Sequence, residues 1–117
     1  MPQALADIKV LDLFRVLAMP YCSMMLGDLG AEIIRVERPG AGDETRHWGP
    51  PWTGELSAYY LCTNRNKKCI TIDLKKQEGQ EIIRRLAQRS DIFLENFLTV
   101  NLAEINLGRG LRAKSQE

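Results

Sequence analysis

Two strand-like segments flank a helix-like one near the amino terminus, and together they restrict this chain to one class of fold. Ile8-Lys9-Val10-Leu11-Asp12-Leu13 alternates apolar and polar residues at its start and is rich in branched side chains, as a sheet strand is. Phe14 to Met19 reads as a connection, and Pro20 suits the first turn of a helix. Tyr21, Met24, Met25 and Leu29 then recur at helical spacing and predict the buried face of that helix, with Gly30 placed to end it. Glu32 to Glu37 reads as the second strand. Strand, helix and strand within about 30 residues make a βαβ unit, whose strands run parallel and whose crossover is right-handed.

Further along, residues 39–57 predict a loop, broken by Pro39, Gly40, Gly42, Gly49, Pro50, Pro51 and Gly54. A loop of that length is uncommon in a small domain unless it is functional or packs on something. Trp48 and Trp52 favour packing. Ser57 to Thr63 suits a short helix and a short strand equally. Cys69 to Leu74 alternates as a third strand, and Glu78 to Gln88 is an amphipathic helix with Ile82, Ile83 and Leu86 on its buried face. Asp91 to Glu95 reads as a fourth strand. The order β-α-β-loop-β-α-β predicts an α/β fold: a Rossmann-like open parallel sheet with flanking helices over residues 1–97. Residues 98–117 lose this quality, with a weak helical pattern over Val100–Leu107 and a polar, frayed end. A parallel sheet needs helices on both faces, and this chain supplies too few, so the sheet is expected to be incomplete, the front of a longer fold.

Composition narrows the functional classes. A chain of 117 residues makes one domain and buries only about 65% of its unfolded surface. The net charge of +1, with cations scattered among carboxylates, excludes a nucleic-acid surface. No apolar run approaches the roughly 20 residues of a membrane span, and neither a secretory signal nor an arginine-rich transit peptide is visible. Cys22, Cys62 and Cys69 match no metal or redox spacing and predict reduced thiols, in the cytoplasm or the mitochondrial matrix. His47 has no evident ligand partners, so no metal site is expected.

A dinucleotide is the obvious ligand for a βαβ unit, but such sites need glycines between the first strand and helix so that backbone can approach the pyrophosphate. Here that turn is Phe14-Arg15-Val16-Leu17-Ala18-Met19-Pro20, without a glycine. Glu37 stands where a ribose-binding acid would. Arg38, just after the second strand, stands where an arginine takes the extra phosphate of an adenosine ribose, because its fork grips phosphate oxygens bidentately. Coenzyme A carries such a phosphate. The competing reading is a solvated arginine paired with Glu37 or Asp43.

Six segments share order and spacing with one family: Val10-Leu11-Asp12-Leu13, Leu26-Gly27-Asp28-Leu29-Gly30-Ala31-Glu32, Val36-Glu37-Arg38-Pro39-Gly40, Gly42-Asp43-Glu44-Thr45-Arg46, Asn64-Arg65-Asn66-Lys67-Lys68 and Glu95-Asn96-Phe97. Through them the chain resembles the amino-terminal part of a class III (CaiB/BaiF-type) CoA-transferase. It is most similar to the succinyl-CoA:dicarboxylate members, with the α-methylacyl-CoA racemases as siblings. The resemblance implies acyl-CoA and a carboxylic acid as substrates, no permanently bound cofactor, and an interlocked homodimer in the full-length family that so short a chain could not form. It also implies positions for the CoA contacts. Val16, Leu17 and Ala18 would line the turn near the pyrophosphate and pantetheine arm, and Arg38 would hold a phosphate of the adenosine end. Ile72, Asp73, Leu74 and Lys75 would border the adenine, with Asn96 and Phe97 completing the wall. The Asn64–Lys68 motif reads as an ordered polar turn before the third strand, and Cys22 as buried filler beside Met25.

Departures from the family pattern are equally informative. Formyl-transferring members carry glutamine where Leu17 stands, which argues against a formyl or oxalyl substrate. Family matches fade after Phe97. The aspartate that such enzymes use for covalent catalysis lies downstream of this chain, so no catalytic residue is expected within it. The alternatives are a racemase-like fragment, a non-catalytic CoA-binding or interaction module, and an NADP-type oxidoreductase domain, which the glycine-free turn disfavours.

Overall fold

A computed structural model of the chain describes residues 2–15 and 17–96. The main sheet consists of β1 (Lys9–Asp12), β2 (Glu32–Glu37), β5 (Lys67–Thr71) and β6 (Ile92–Leu94), in the spatial order β5-β2-β1-β6 and parallel throughout. Helix α1 (Ala18–Asp28) joins β1 to β2, and α3 (Gln77–Gln88) joins β5 to β6. Between β2 and β5 lie a 3-10 turn (Glu44–His47), a small hairpin of β3 (Trp52–Thr53) with β4 (Leu56–Ser57), and the one-turn helix α2 (Ala58–Leu61).

Alternation along the strands sorts the core onto two faces. Leu11, Leu13 and Val36 face α3 and pack with Ile72, Ile83 and Ala87. Val10 and Ile33 face the other way, where Leu5, Ile8, Ala31 and Leu26 of α1 cover them. Central strand β1 is buried on both faces, as parallel sheets demand. Register is set by the same residues: Val10 lies opposite Ile33 on one side and Ile92 on the other. The expected parallel α/β sheet with flanking helices is therefore present. The expected helix over Val100–Leu107 and the divergent 98–117 tail lie outside the described residues.

Several local expectations are corrected. The third strand runs over Lys67–Thr71 instead of Cys69–Leu74. It begins early because the Lys67 ammonium is buried among acceptors, and it ends early because Asp73 makes a turn. Its Oδ1 accepts the Lys75 amide and its carbonyl the Lys76 amide. Of the expected face of α1 Met24 is buried, but Tyr21, Met25 and Leu29 are half-exposed, and Pro20 and Ser23 turn inward in their place. That helix is turned by polar chemistry: the Ser23 hydroxyl donates to buried Asp12, and Lys67 donates to the Pro20 carbonyl. Gly30 does end α1, with φ at 106°. Cys22 is half-buried rather than core filler.

Residues 39–57 are not bare loop. Asp43 caps the 3-10 turn by accepting the Thr45 amide, and Ser57 caps α2 by accepting the Tyr60 amide. Trp48 meets Tyr59 edge-on at 5.3 Å. Trp52 covers Gly49 so closely that a Cβ there would sit 2.0 Å from its ring.

On α3 the inward face is Gly79, Gln80, Ile83 and Ala87. Ile82, expected on it, is 45% exposed, whereas Ile83 is fully buried. Gly79 sits inward because its helix runs hard against the Asp73 carbonyl, which a Cβ would meet at 2.0 Å. Ile83→Ala should therefore cost about 3 kcal/mol in urea denaturation, while Ile82→Ala should cost less than about 1 kcal/mol. Equal losses would place the helix in the wrong rotation.

Candidate functional site

β1 continues to β2 and β5 on one side, while β6 returns to its other side, so the strand order reverses at β1. Open α/β sheets bind ligands outside the carboxyl ends of their strands near such a point. At that edge a cleft of about 260 Å³ opens in three walls. Leu13, Phe14 and Arg15 follow β1; Arg35 to Arg38, with Gly42 and Asp43, end and follow β2; Ile72 to Lys75 follow β5. Apolar side chains and three peripheral cations, Arg15, Arg38 and Lys75, thus meet in one space.

Beneath the cleft lies a continuous polar network. On the α1 face the strands begin apolar, with Val10 and Ile33, and end ionic, with Asp12, Arg35 and Glu37. Arg35 is 1% exposed. It pairs with Asp43 and with Asn64 Oδ1, and its Nε lies 3.3 Å from Glu37 Oε1. Asn64 Oδ1 also accepts from Lys67 Nζ at 3.1 Å, and Lys67 reaches Asp12 and the Pro20 carbonyl. Glu37 takes a fork from Arg46, with Nε at 2.8 Å and Nη2 at 3.0 Å, and the Tyr60 hydroxyl donates to it at 2.9 Å. The Arg46 guanidinium in turn lies 4.1 Å from the centre of the Tyr60 ring.

Electrostatics follow from these partners. Burial pushes Lys67 down to about 8, against the pull of Asp12. Burial raises the Glu37 carboxyl, but the Arg46 and Tyr60 hydrogen bonds and the charges of Arg46 and Arg35 outweigh it, and it ends below its ordinary value. Burial, then the neighbouring Glu37, hold the Tyr60 phenol well above its usual range.

The family-like segments acquire physical meaning here. Asp28, in the Leu26–Glu32 segment, receives Arg65 and Asn66 from the Asn64–Lys68 segment. Gly27 leaves room for the Asn66 carbonyl, 3.2 Å from where its Cβ would stand. Asn66 itself has φ of 61°, which asparagine tolerates. The motif is thus a turn that runs on into β5, since Lys67 and Lys68 already belong to the strand.

Of the candidate contact residues, Arg38, Ile72, Asp73, Leu74 and Lys75 line the cleft. Leu17 and Ala18 are exposed at the start of α1 and do not line it. Asn96 stands beside it, its Nδ2 donating to the Arg15 carbonyl at 3.5 Å. Val16 and Phe97 lie outside the described residues. Arg38 pairs with neither Glu37 nor Asp43, since both are engaged elsewhere; it is exposed, with Nε donating to the Gly42 carbonyl at 3.0 Å. Glu37 is buried and saturated by Arg46 and Tyr60, which removes it as a ribose acceptor. Sequence reading overlooked Arg35 and Tyr60, and it singled out Asp43, Arg46 and Asn64 only as parts of family-like segments or as a partner for Arg38, not as members of a buried network. Strand alternation was the available signal, because it sets Arg35 on one face with Ile33 and Glu37.

His47 Nε2 contacts the Ala41 carbonyl, and among the described residues no group of histidines, cysteines and carboxylates could hold a metal. Nor is any described helix long and apolar enough to cross a membrane.

Two stability predictions follow from the network. Asn64→Ala strips one acceptor from each of two buried cations and should cost about 3 kcal/mol in urea denaturation; a loss below about 1 kcal/mol would show the network to be dispensable. The lowered Glu37 carboxyl means that the unfolded state takes up a proton first on acidification. Its stabilising contribution is full above the ordinary carboxylate range and is lost as pH falls through the folded value. Urea midpoints between about pH 5 and pH 3 should accordingly fall less steeply in Glu37→Gln than in the parent chain.

The sequence matches CoA-transferase family III over residues 5–114. It is 55% identical over 104 residues to human succinyl-CoA:glutarate CoA-transferase, covering 89% of this chain and 24% of that protein. It is 47% identical over 109 residues to succinate–glutarate CoA-transferase of Agrobacterium fabrum, covering 88% and 27%. The chain thus spans about a quarter of the length of these relatives. Its fold superposes on a CAIB/BAIF family protein from Brucella suis with a TM-score of 0.88 at 41% identity, over 97% of this chain and 31% of that one. A family match along nearly the whole sequence, with the same fold beneath it, places this chain in CoA-transferase family III.

Proposed function

We propose that this chain forms the nucleotide-facing wall of the CoA site in a dicarboxylate-type CoA-transferase, an enzyme that moves CoA between carboxylic acids. The carrying observation is the cleft itself: Leu13, Val36, Ile72 and Leu74 offer an apolar floor, and Arg15, Arg38 and Lys75 bring cations to its rim. A flat base with a phosphorylated ribose needs that combination. In this reading Arg38 holds a phosphate of the adenosine end, Ile72 to Lys75 border the base, and Asn96 extends the wall toward β1. Leu17 and Ala18 then approach only the outer, pantetheine-bearing part of the ligand.

The nucleophilic aspartate of the family is assigned to none of this chain's residues. Asp43 and Asp73 line the cleft, but Asp43 is held by Arg35 and Thr45, and Asp73 accepts the Lys75 amide. The chain therefore contributes binding and orientation, and turnover is not expected from it alone. Relatives named as glutarate transferases favour a succinyl-CoA donor and a dicarboxylate acceptor over racemase chemistry. The homodimer is assigned to full-length members, where the remaining chain completes the site. Cys22, Cys62 and Cys69 are free thiols, which fits a reducing compartment, cytoplasm or mitochondrial matrix.

Calorimetric titration tests the site. Arg38→Ala should weaken CoA about tenfold, the worth of one charge-assisted contact, and dephospho-CoA less than about twofold. Equal loss for both ligands would sink the phosphate assignment.

A further inference from the structure

Arg38 is exposed, and an exposed arginine normally samples many rotamers, at a cost in affinity whenever a ligand must fix it. Here it is not left to do so. Its Nε donates to the Gly42 carbonyl at 3.0 Å, so the side chain is fastened across its own loop. That carbonyl is positioned from below. Glu37, the residue before Arg38, sends its carboxylate under the loop, where Oε2 accepts the Asp43 amide at 3.3 Å and Arg46 Nε at 2.8 Å. The second Arg46 bond, Nη2 to Oε1 at 3.0 Å, completes a fork that locks the carboxylate's plane. Gly42 adopts φ of 65°, and a Cβ on it would stand 2.5 Å from Glu37 Oε2 and 3.0 Å from Arg46 Nε. Only glycine lets the carboxylate close the loop at this point.

We infer that Arg46 and Gly42 are positioning residues for Arg38: the Glu37–Arg46 fork closes the 38–43 loop and presents the Gly42 carbonyl that holds the phosphate-binding guanidinium in place. This rests on the reading of Arg38 as a phosphate contact. Arg46 does not line the cleft, and Gly42, which does, acts on Arg38 through its carbonyl. Their effect should fall on the 3′-phosphate alone, because Ile72 to Lys75 form a separate wall.

The test is the ratio of CoA to dephospho-CoA affinity, measured by calorimetry on the 117-residue chain and its Arg38→Ala, Arg46→Met, Arg46→Lys and Gly42→Ala variants. Arg46→Met leaves Glu37 its Arg35 and Tyr60 partners and so decides the matter even if Gly42→Ala does not fold. Expected is a loss of CoA preference of about three- to tenfold in Arg46→Met, the worth of one ordered side chain, with dephospho-CoA affinity unchanged, and a loss of preference of the same size in folded Gly42→Ala. Arg46→Lys, which keeps the charge but not the fork, should restore less than half of that loss. If Arg38→Ala abolishes the preference while Arg46→Met keeps it, the positioning role is wrong and the phosphate reading stands. If the parent chain or Arg38→Ala shows that no preference depends on Arg38, the phosphate reading falls and the inference falls with it. A matching loss for both ligands in Arg46→Met would assign Arg46 a general structural role and overturn the inference too.

Discussion

The side-chain oxygen of Asn64 accepts from two buried cations, Arg35 of β2 and Lys67 of β5, and the polar network on the α1 face of the sheet is organised around that atom. On one side the network runs through Lys67 to Asp12 of β1 and Ser23 of α1. On the other it runs through Arg35 to Asp43, Glu37 and Arg46. The Asn64 amide nitrogen meanwhile donates to the Tyr60 carbonyl at 2.8 Å, which ties α2 to the same point. Three strands, α1, α2 and the loop after β2 thus share one set of bonds. An unpaired ion at any of these buried positions costs several kcal/mol, so these elements must dock in one arrangement or leave a charge stranded.

Buried ion pairs are poor sources of net stability, since desolvation offsets most of the Coulombic gain. Their value in this chain is directional. The apolar packing around Leu11 and Ile83, or around Val10 and Ile33, would tolerate small shifts of a helix over the sheet. A fork such as Arg46 on Glu37 would not, because both its bonds lengthen together. Along the α1 face of β1 and β2 the labour is divided: apolar Val10 and Ile33 nearer the amino end supply cohesion, and Asp12, Arg35 and Glu37 nearer the carboxyl end supply position, where a ligand cleft needs it.

Much of this architecture was legible from pattern. The βαβ unit, Gly30 at the end of α1, the second strand and the placement of Arg38 beside the cleft all followed from periodicity and turn chemistry. What escaped was the effect of buried polarity on that pattern. Hydropathy assigned Tyr21, Met25 and Leu29 to the inward face of α1, yet Ser23 turns inward because Asp12 waits for its hydroxyl. It likewise started the third strand at Cys69, after two lysines, although Lys67 is buried against three acceptors. A lysine reads as solvent until its partners are known, and those partners lie 55 residues away in Asp12 and 47 in Pro20. The segment between β2 and β5 was obscured for the same reason: residues 39–57 read as loop from their glycines and prolines, whereas Asp43, Thr45 and Ser57 within it are buried as caps or bridges.

The glycine-free first turn takes its place in this scheme. Glycine-rich nucleotide sites hold the pyrophosphate with backbone amides at a helix amino terminus, a device that needs bare backbone and little else. Here α1 starts at Ala18 behind an uncapped Leu17, and the cleft opens away from it, toward the ends of β2 and β5. Recognition in the proposed reading therefore passes from backbone to side chains, to Arg38 above all. Backbone amides come pre-oriented, whereas an arginine does not. A site that relies on side-chain cations must use other residues to aim them, and the partly buried Glu37–Arg46 fork beneath an exposed Arg38 is what that looks like in a small domain.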